Sequence, residues 1–161
     1  MTGLQNIHIY EAEIMKILCS NASIQQLLDN KSDEYNPNNI VWKNVRPDTY
    51  IPGTTTEADN YITYSISGKA VDKTVALLLI DFYVFSHASL LRTDQGKRTT
   101  LIASAIDSEF NGTNRIGLGV MKLVGFDGNF SVGKDYHGYK ITYAVNSYNQ
   151  PSGKNGAVYA K

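Results

Sequence analysis

The chain has 161 residues, with fifteen basic and fifteen acidic side chains that cancel and an apolar share of 42 %. That length predicts one domain whose core needs no metal or disulfide staple. The zero balance gives no basic excess for nucleic acid, and the lone Cys19 excludes an intramolecular disulfide and thiolate clusters.

Taken in order, residues 11–18 read as helix, with Ile14, Ile17 and Leu18 at i, i+3 and i+4. Asn21 and Ser23 interrupt it. Ser23 followed by Gln26 is a capping-box pattern, and Ile24, Leu27 and Leu28 repeat the apolar spacing, which predicts two short helices or one broken at residues 19–22. Cys19 has no basic neighbour in sequence to activate it and reads as a buried packing residue. Residues 30–39 are turn-rich loop, and residues 40–45 read as a short strand with Trp42 as a core or interface anchor. Pro52-Gly53 marks a turn, and residues 54–59 read as an exposed loop.

Residues 61–68 alternate, with Ile62, Tyr64 and Ile66 on one face, as a half-buried strand does. Residues 74–87, TVALLLIDFYVFSH, are apolar on both faces and predict the central strand, reached by an antiparallel hairpin. Asp81 is the odd residue in that run and needs a donor or water. Residues 99–110 form an amphipathic helix on Ile102, Ile106 and Phe110, stopped by Asn111-Gly112. Residues 115–126 read as strand, with Ile116, Leu118, Val120, Val124 and Phe126 on one row and Lys122 breaking it. Asp127-Gly128 is a hairpin signal, residues 130–137 read as strand or loop, and residues 139–148 are the last strand. Residues 149–161 read as a flexible C-terminal tail.

The order α, β, β, β, α, β, β predicts an α+β domain over residues 1–148: an antiparallel or mixed sheet of four to six strands, with an N-terminal helical segment and one later helix packed on it. No apolar run reaches the ~20 residues that cross a bilayer, and no basic segment followed by an apolar one marks a signal peptide.

The search for chemistry finds few parts. His8, His87 and His137 have no zinc spacing with Cys, Asp or Glu. Gly117-Leu118-Gly119 lacks the third glycine and the following helix of a dinucleotide fingerprint, so it reads as a strand bulge. Asp107 and Glu109, two apart, do not share a helix face and read as a solvated surface. No catalytic, cofactor or metal residue is predicted, and the chain is not expected to be an enzyme. Eleven tyrosines against five phenylalanines suit sheet faces and protein contacts.

In layout these segments resemble the tail-completion or tail-terminator proteins of long-tailed bacteriophages. The likeness rests on the helix ending in Ile24-Gln25-Gln26-Leu27-Leu28, the strand at 40–45, and Tyr50-Ile51-Pro52-Gly53 with its Thr-rich loop. It continues through the strand pair at 61–67 and 80–86, the helix with Leu101, Ile102, Ile106 and Phe110, and the closing strands. The resemblance implies a structural virion protein, made in the host cytoplasm, that caps the tail tube at the neck as a ring, typically of six. Its partners would be its own copies, the tail-tube protein and a head-completion protein. A head-closure or other neck protein is the alternative within the virion, and a small Tyr-rich ligand-binding domain is the alternative of another class. The candidate contacts are loops. Pro52, Gly53, Thr54, Thr55, Thr56 and Glu57 would reach a neighbouring subunit or tube ring. Arg92, Lys97 and Arg98 would face acids on a partner or, less favoured, DNA in the lumen.

Overall fold

The computed structural model describes residues 6–29, 36–48 and 58–148. The predicted loop at 52–57 and the predicted tail at 149–161 lie outside them. Helices α1 (Ile7–Ser20) and α2 (Ala22–Leu28) meet at Asn21. Asn21 Oδ1 accepts from the Ile24 amide at 2.9 Å, so the cap of α2 is Asn21 and not the predicted Ser23. The strands of the main sheet are β1 (Val45–Arg46), β2 (Asn60–Ala70), β3 (Val75–His87), β6 (Leu118–Val132) and β7 (Tyr136–Tyr148), in the order β1-β2-β3-β7-β6. A small hairpin of β4 (Arg92–Thr93) and β5 (Gly96–Lys97) precedes α3 (Arg98–Phe110). The β1–β2 pair is parallel and the others are antiparallel, so the sheet is mixed and the fold is α+β, as predicted.

The sheet is two-faced because its strands alternate. Leu78, Ile80, Phe82 and Val84 of β3 are buried with Ile62 and Tyr64 of β2 and Ile141, Tyr143 and Val145 of β7. Ile14, Leu18, Ile24, Leu28, Ile102, Ile106 and Phe110 from the three helices complete that core. Fully burying one such side chain contributes about 1.5–3 kcal/mol. Phe82 sits at its centre, with ring centroids 4.9 Å from Phe110, 5.8 Å from Tyr143 and 6.1 Å from Tyr64. The opposite face carries a smaller cluster of Tyr61, Phe85 and Tyr136, against which Tyr83, Phe130 and Val132 pack. Among the described residues no helix is long and apolar enough to cross a membrane.

Three predicted features are corrected. Residues 40–44 are a turn, and the strand expected there is reduced to Val45–Arg46: the Lys43, Asn44 and Val45 amides all point to the Ile40 carbonyl, and Trp42 adopts φ +58°. Trp42 is 62 % exposed and is not a core anchor. Asp127-Gly128 makes no hairpin, because β6 runs through it. Asp127 Oδ1 accepts the Asn129 amide at 2.9 Å, a local turn that the strand absorbs as an irregularity between Asp127 and Phe130. The reversal comes at residues 133–135, where Gly133 holds φ +65°. Finally, the alternating row of residues 115–126 does not face the core as a unit. Register shifts rotate β6, so Met121 is buried while Val120, Val124 and Phe126 are exposed.

Candidate functional site

The described candidate residues lie around the β4–β5 hairpin and the start of α3. Arg92 and Lys97 are Cα partners across the hairpin, both exposed. Two like charges placed opposite each other repel unless an anion lies between them or their side chains splay apart. Arg98 does something else. Its Nε donates to the Leu90 carbonyl at 2.9 Å and its Nη1 to the Leu27 carbonyl at 3.0 Å. Leu27 lies in the last turn of α2, so a cation there also meets the negative end of the helix. Partial burial lowers the Arg98 pKa. The predicted basic triple is thus split: two cations point outward from the hairpin and one ties α3 to α2.

Both acids read from the sequence as solvated are engaged. Asp107 Oδ1 accepts the Tyr143 hydroxyl at 2.8 Å, and Glu109 accepts Asn21 Nδ2 at 2.6 Å and Arg115 at 3.1 Å. They join α3 to the sheet and to the α1–α2 corner. Asp81 finds its donors on β7, from Thr142 Oγ1 at 2.5 Å and Lys140 Nζ at 3.4 Å. Partial desolvation pulls the Lys140 pKa down, but the Asp81 carboxylate and contacts with Tyr83 outweigh it and the net shift is upward. Lys140 Nζ also lies 5.2 Å from the centre of the Tyr83 ring. Burial pushes the Cys19 thiol up to about 11, which fits the packing role predicted for it. Among the described residues no group of three His, Cys, Asp or Glu side chains could hold a metal ion.

Two concavities flank the hairpin. An open groove of about 510 Å³ between α2 and α3 has an apolar floor at Leu27, Leu101 and Ala105 and hydroxyls at Ser23, Ser104 and Ser108. A tighter hollow of about 160 Å³ lies between the first turn of α3 and β6–β7. Neither is lined by a tyrosine, contrary to the Tyr-lined pocket that the ligand-binding alternative expects.

The sequence reading missed the outer edge of β6. There Val120, Val124 and Phe126 are exposed, Phe126 at 67 %, its ring stacked at 6.4 Å on Tyr139. Lys122, which breaks the apolar row, was the available signal of a strand that leaves its register.

These features define an α+β sheet protein with an apolar exposed edge strand and a basic hairpin beside it. The chain belongs to the YomW family, whose model matches residues 12–145. Family membership supports a phage-related protein. No curated protein matches the chain.

Proposed function

We propose that the chain is a non-catalytic structural protein of the virion that caps the phage tail tube and joins it to the head, acting as a ring of copies. The phage-related family supports this reading, and one structural observation carries it. Among the described residues the main sheet is open at both sides. On one side, β1 pairs with β2 only at Ile62 and Thr63, leaving residues 65–70 without an outer partner. On the other side, β6 pairs only with β7 and presents Val120, Val124 and Phe126. Because β2, β3, β7 and β6 alternate in direction, β6 of one copy laid beside β2 of the next is antiparallel. Two different edges of one subunit then match, which is the heterologous contact that closes a ring.

The test is a phage lacking this chain. The expected outcome is heads and tails that accumulate apart and join when the protein is restored. Phage that still joins heads to tails without it would end the proposal. Uncapped tails of irregular end structure support the tube cap. Finished tails beside leaking heads support instead the head-closure or neck reading. A small ligand-binding domain is the second class of function, favoured by the groove between α2 and α3. It predicts a saturable small molecule and no defect in assembly.

A further inference from the structure

We propose that the exposed turn carrying Trp42 and Lys43 on one copy of the chain seats in the groove between α2 and α3 of the next copy, with Lys43 facing Asp94. The inference rests on the ring reading for its occupant, a second copy, and names a contact that the strand edges alone do not supply.

The knob comes from a turn held at both ends. Ile40 and Val45 are fully buried, and the Lys43, Asn44 and Val45 amides converge on the Ile40 carbonyl. Asn44, itself buried, donates from Nδ2 to the Asn60 carbonyl at 2.7 Å, which pins the turn to β2. Between these anchors Trp42 stands out in solvent, and it is the one non-glycine among the described residues with a positive φ. A bulky side chain is disfavoured in that region, and such strain persists where the surrounding structure imposes it, most often at functional sites. Glycine would fit the turn better, so nothing within the single chain accounts for the tryptophan. An aromatic ring on a rigid support loses little freedom on docking, and tryptophan leads the residues that dominate interface energies.

The groove has the matching shape. Its volume of about 510 Å³ takes an indole with part of the turn behind it, and its floor of Leu27, Leu101 and Ala105 is apolar. Ser104 and Ser108 keep the α3 wall low, so a flat ring reaches the floor.

Charge selects the occupant. Asp94, at the tip of the β4–β5 hairpin, is the one carboxylate among the described lining residues, and no cation lines the groove with it. Lys43 is exposed beside Trp42, and neither it nor Asp94 forms an ion pair among the described residues. A ring followed by a cation therefore meets an apolar floor flanked by a carboxylate. Placement agrees. The turn leads into β1 at one side of the sheet, whereas α3 packs on β3, β7 and β6 toward the other. Each copy offers a knob from one part of its surface and receives one at another, which is the head-to-tail pattern of a ring.

The test is sedimentation velocity of the full chain at increasing concentration. The parent is expected to self-associate. Trp42→Gly suits the left-handed turn, should fold as the parent does by circular dichroism, and should weaken association about tenfold or more. Ser104→Trp, on the exposed face of α3, fills the groove and should weaken it likewise. A mixture of these two variants should form heterodimers and stop there, because one intact knob and one intact groove remain between them. Lys43→Glu should weaken association, and Lys43→Glu combined with Asp94→Lys should recover it. A parent that stays monomeric would overturn the contact and leave the groove to a different occupant. Variants that associate like the parent, a mixture that forms no heterodimer, or a charge swap that recovers nothing would overturn it too. Undiminished association in Trp42→Gly and Ser104→Trp would still allow a ring closed by the β6 and β2 edges. Phage that joins heads to tails without the chain would end the ring reading but would not alter this self-association, so the two proposals fail separately.

Discussion

The Tyr143 hydroxyl, from the middle of β7, donates to Asp107 Oδ1 on α3 at 2.8 Å across the main core. Tyr143 is fully buried, and its bond to a carboxylate at the edge of that core fixes α3 along the sheet. Tyr143→Phe keeps the ring, 5.8 Å from Phe82, and deletes only the bond. The expected cost is about 1 kcal/mol, because Asp107 is partly exposed and can turn to water. A denaturant melt that shows no loss would mean the bond adds nothing to stability.

Arg98 leads to the second prediction. Arg98→Ala leaves the Leu27 and Leu90 carbonyls without their donor and should cost about 1–3 kcal/mol. For a chain of this size that corresponds to a fall in Tm of roughly 2–4 °C per kcal/mol. Arg92→Ala and Lys97→Ala, both exposed, should stay within about 0.5 kcal/mol of the parent. Equal melting of all three variants would contradict the division of the basic triple into one clamp and two outward cations.

Phe82 contacts an aromatic ring from each of β2, β7 and α3 and has no exposed surface. Phe82→Ala should cost about 3–5 kcal/mol, the usual penalty for an aromatic-sized cavity in a core. A loss below about 1 kcal/mol would show a core able to collapse around the gap.

Alkali should loosen the fold by a predictable route. Burial raises the Cys19 thiol from 9.0 to about 11 and raises Tyr64 and Tyr143 above their ordinary value. Each of these groups prefers its neutral form in the folded chain. Their contribution is therefore intact below the unfolded values and is lost as pH rises, from about 9 to about 11 for Cys19. Melting points should hold from pH 7 to about pH 9 and then fall. Cys19→Ala should flatten the first part of that fall. An unchanged slope in the variant would remove Cys19 as its cause.

The elements legible in the sequence are those whose apolar pattern is continuous. β3 lies at 75–87 against an expected 74–87 because both its faces are apolar, and α3 at 98–110 against 99–110 because Ile102, Ile106 and Phe110 line one buried stripe. β6 was misread because alternation encodes burial only while register holds, and three irregularities turn Val120 and Phe126 outward. The partners of Asp81, Asp107 and Glu109 lie 61, 36 and 88 residues away for Thr142, Tyr143 and Asn21. No local pattern carries pairings of that separation. Arg98 reads in the sequence as a partner-facing loop residue because nothing in its neighbourhood marks the Leu27 carbonyl as its acceptor.

The corrugation of β6 has a consequence for selectivity. A straight generic strand meeting this edge would match only the short runs between breaks at Leu118/Lys122, Leu123/Gly125 and Asp127/Phe130. A bare apolar edge invites indiscriminate stacking into fibres, and such kinks are a known defence against it. The exposed valines and Phe126 can therefore remain uncovered in a crowded cell, since only a strand whose contour follows the same breaks could lie along them in full.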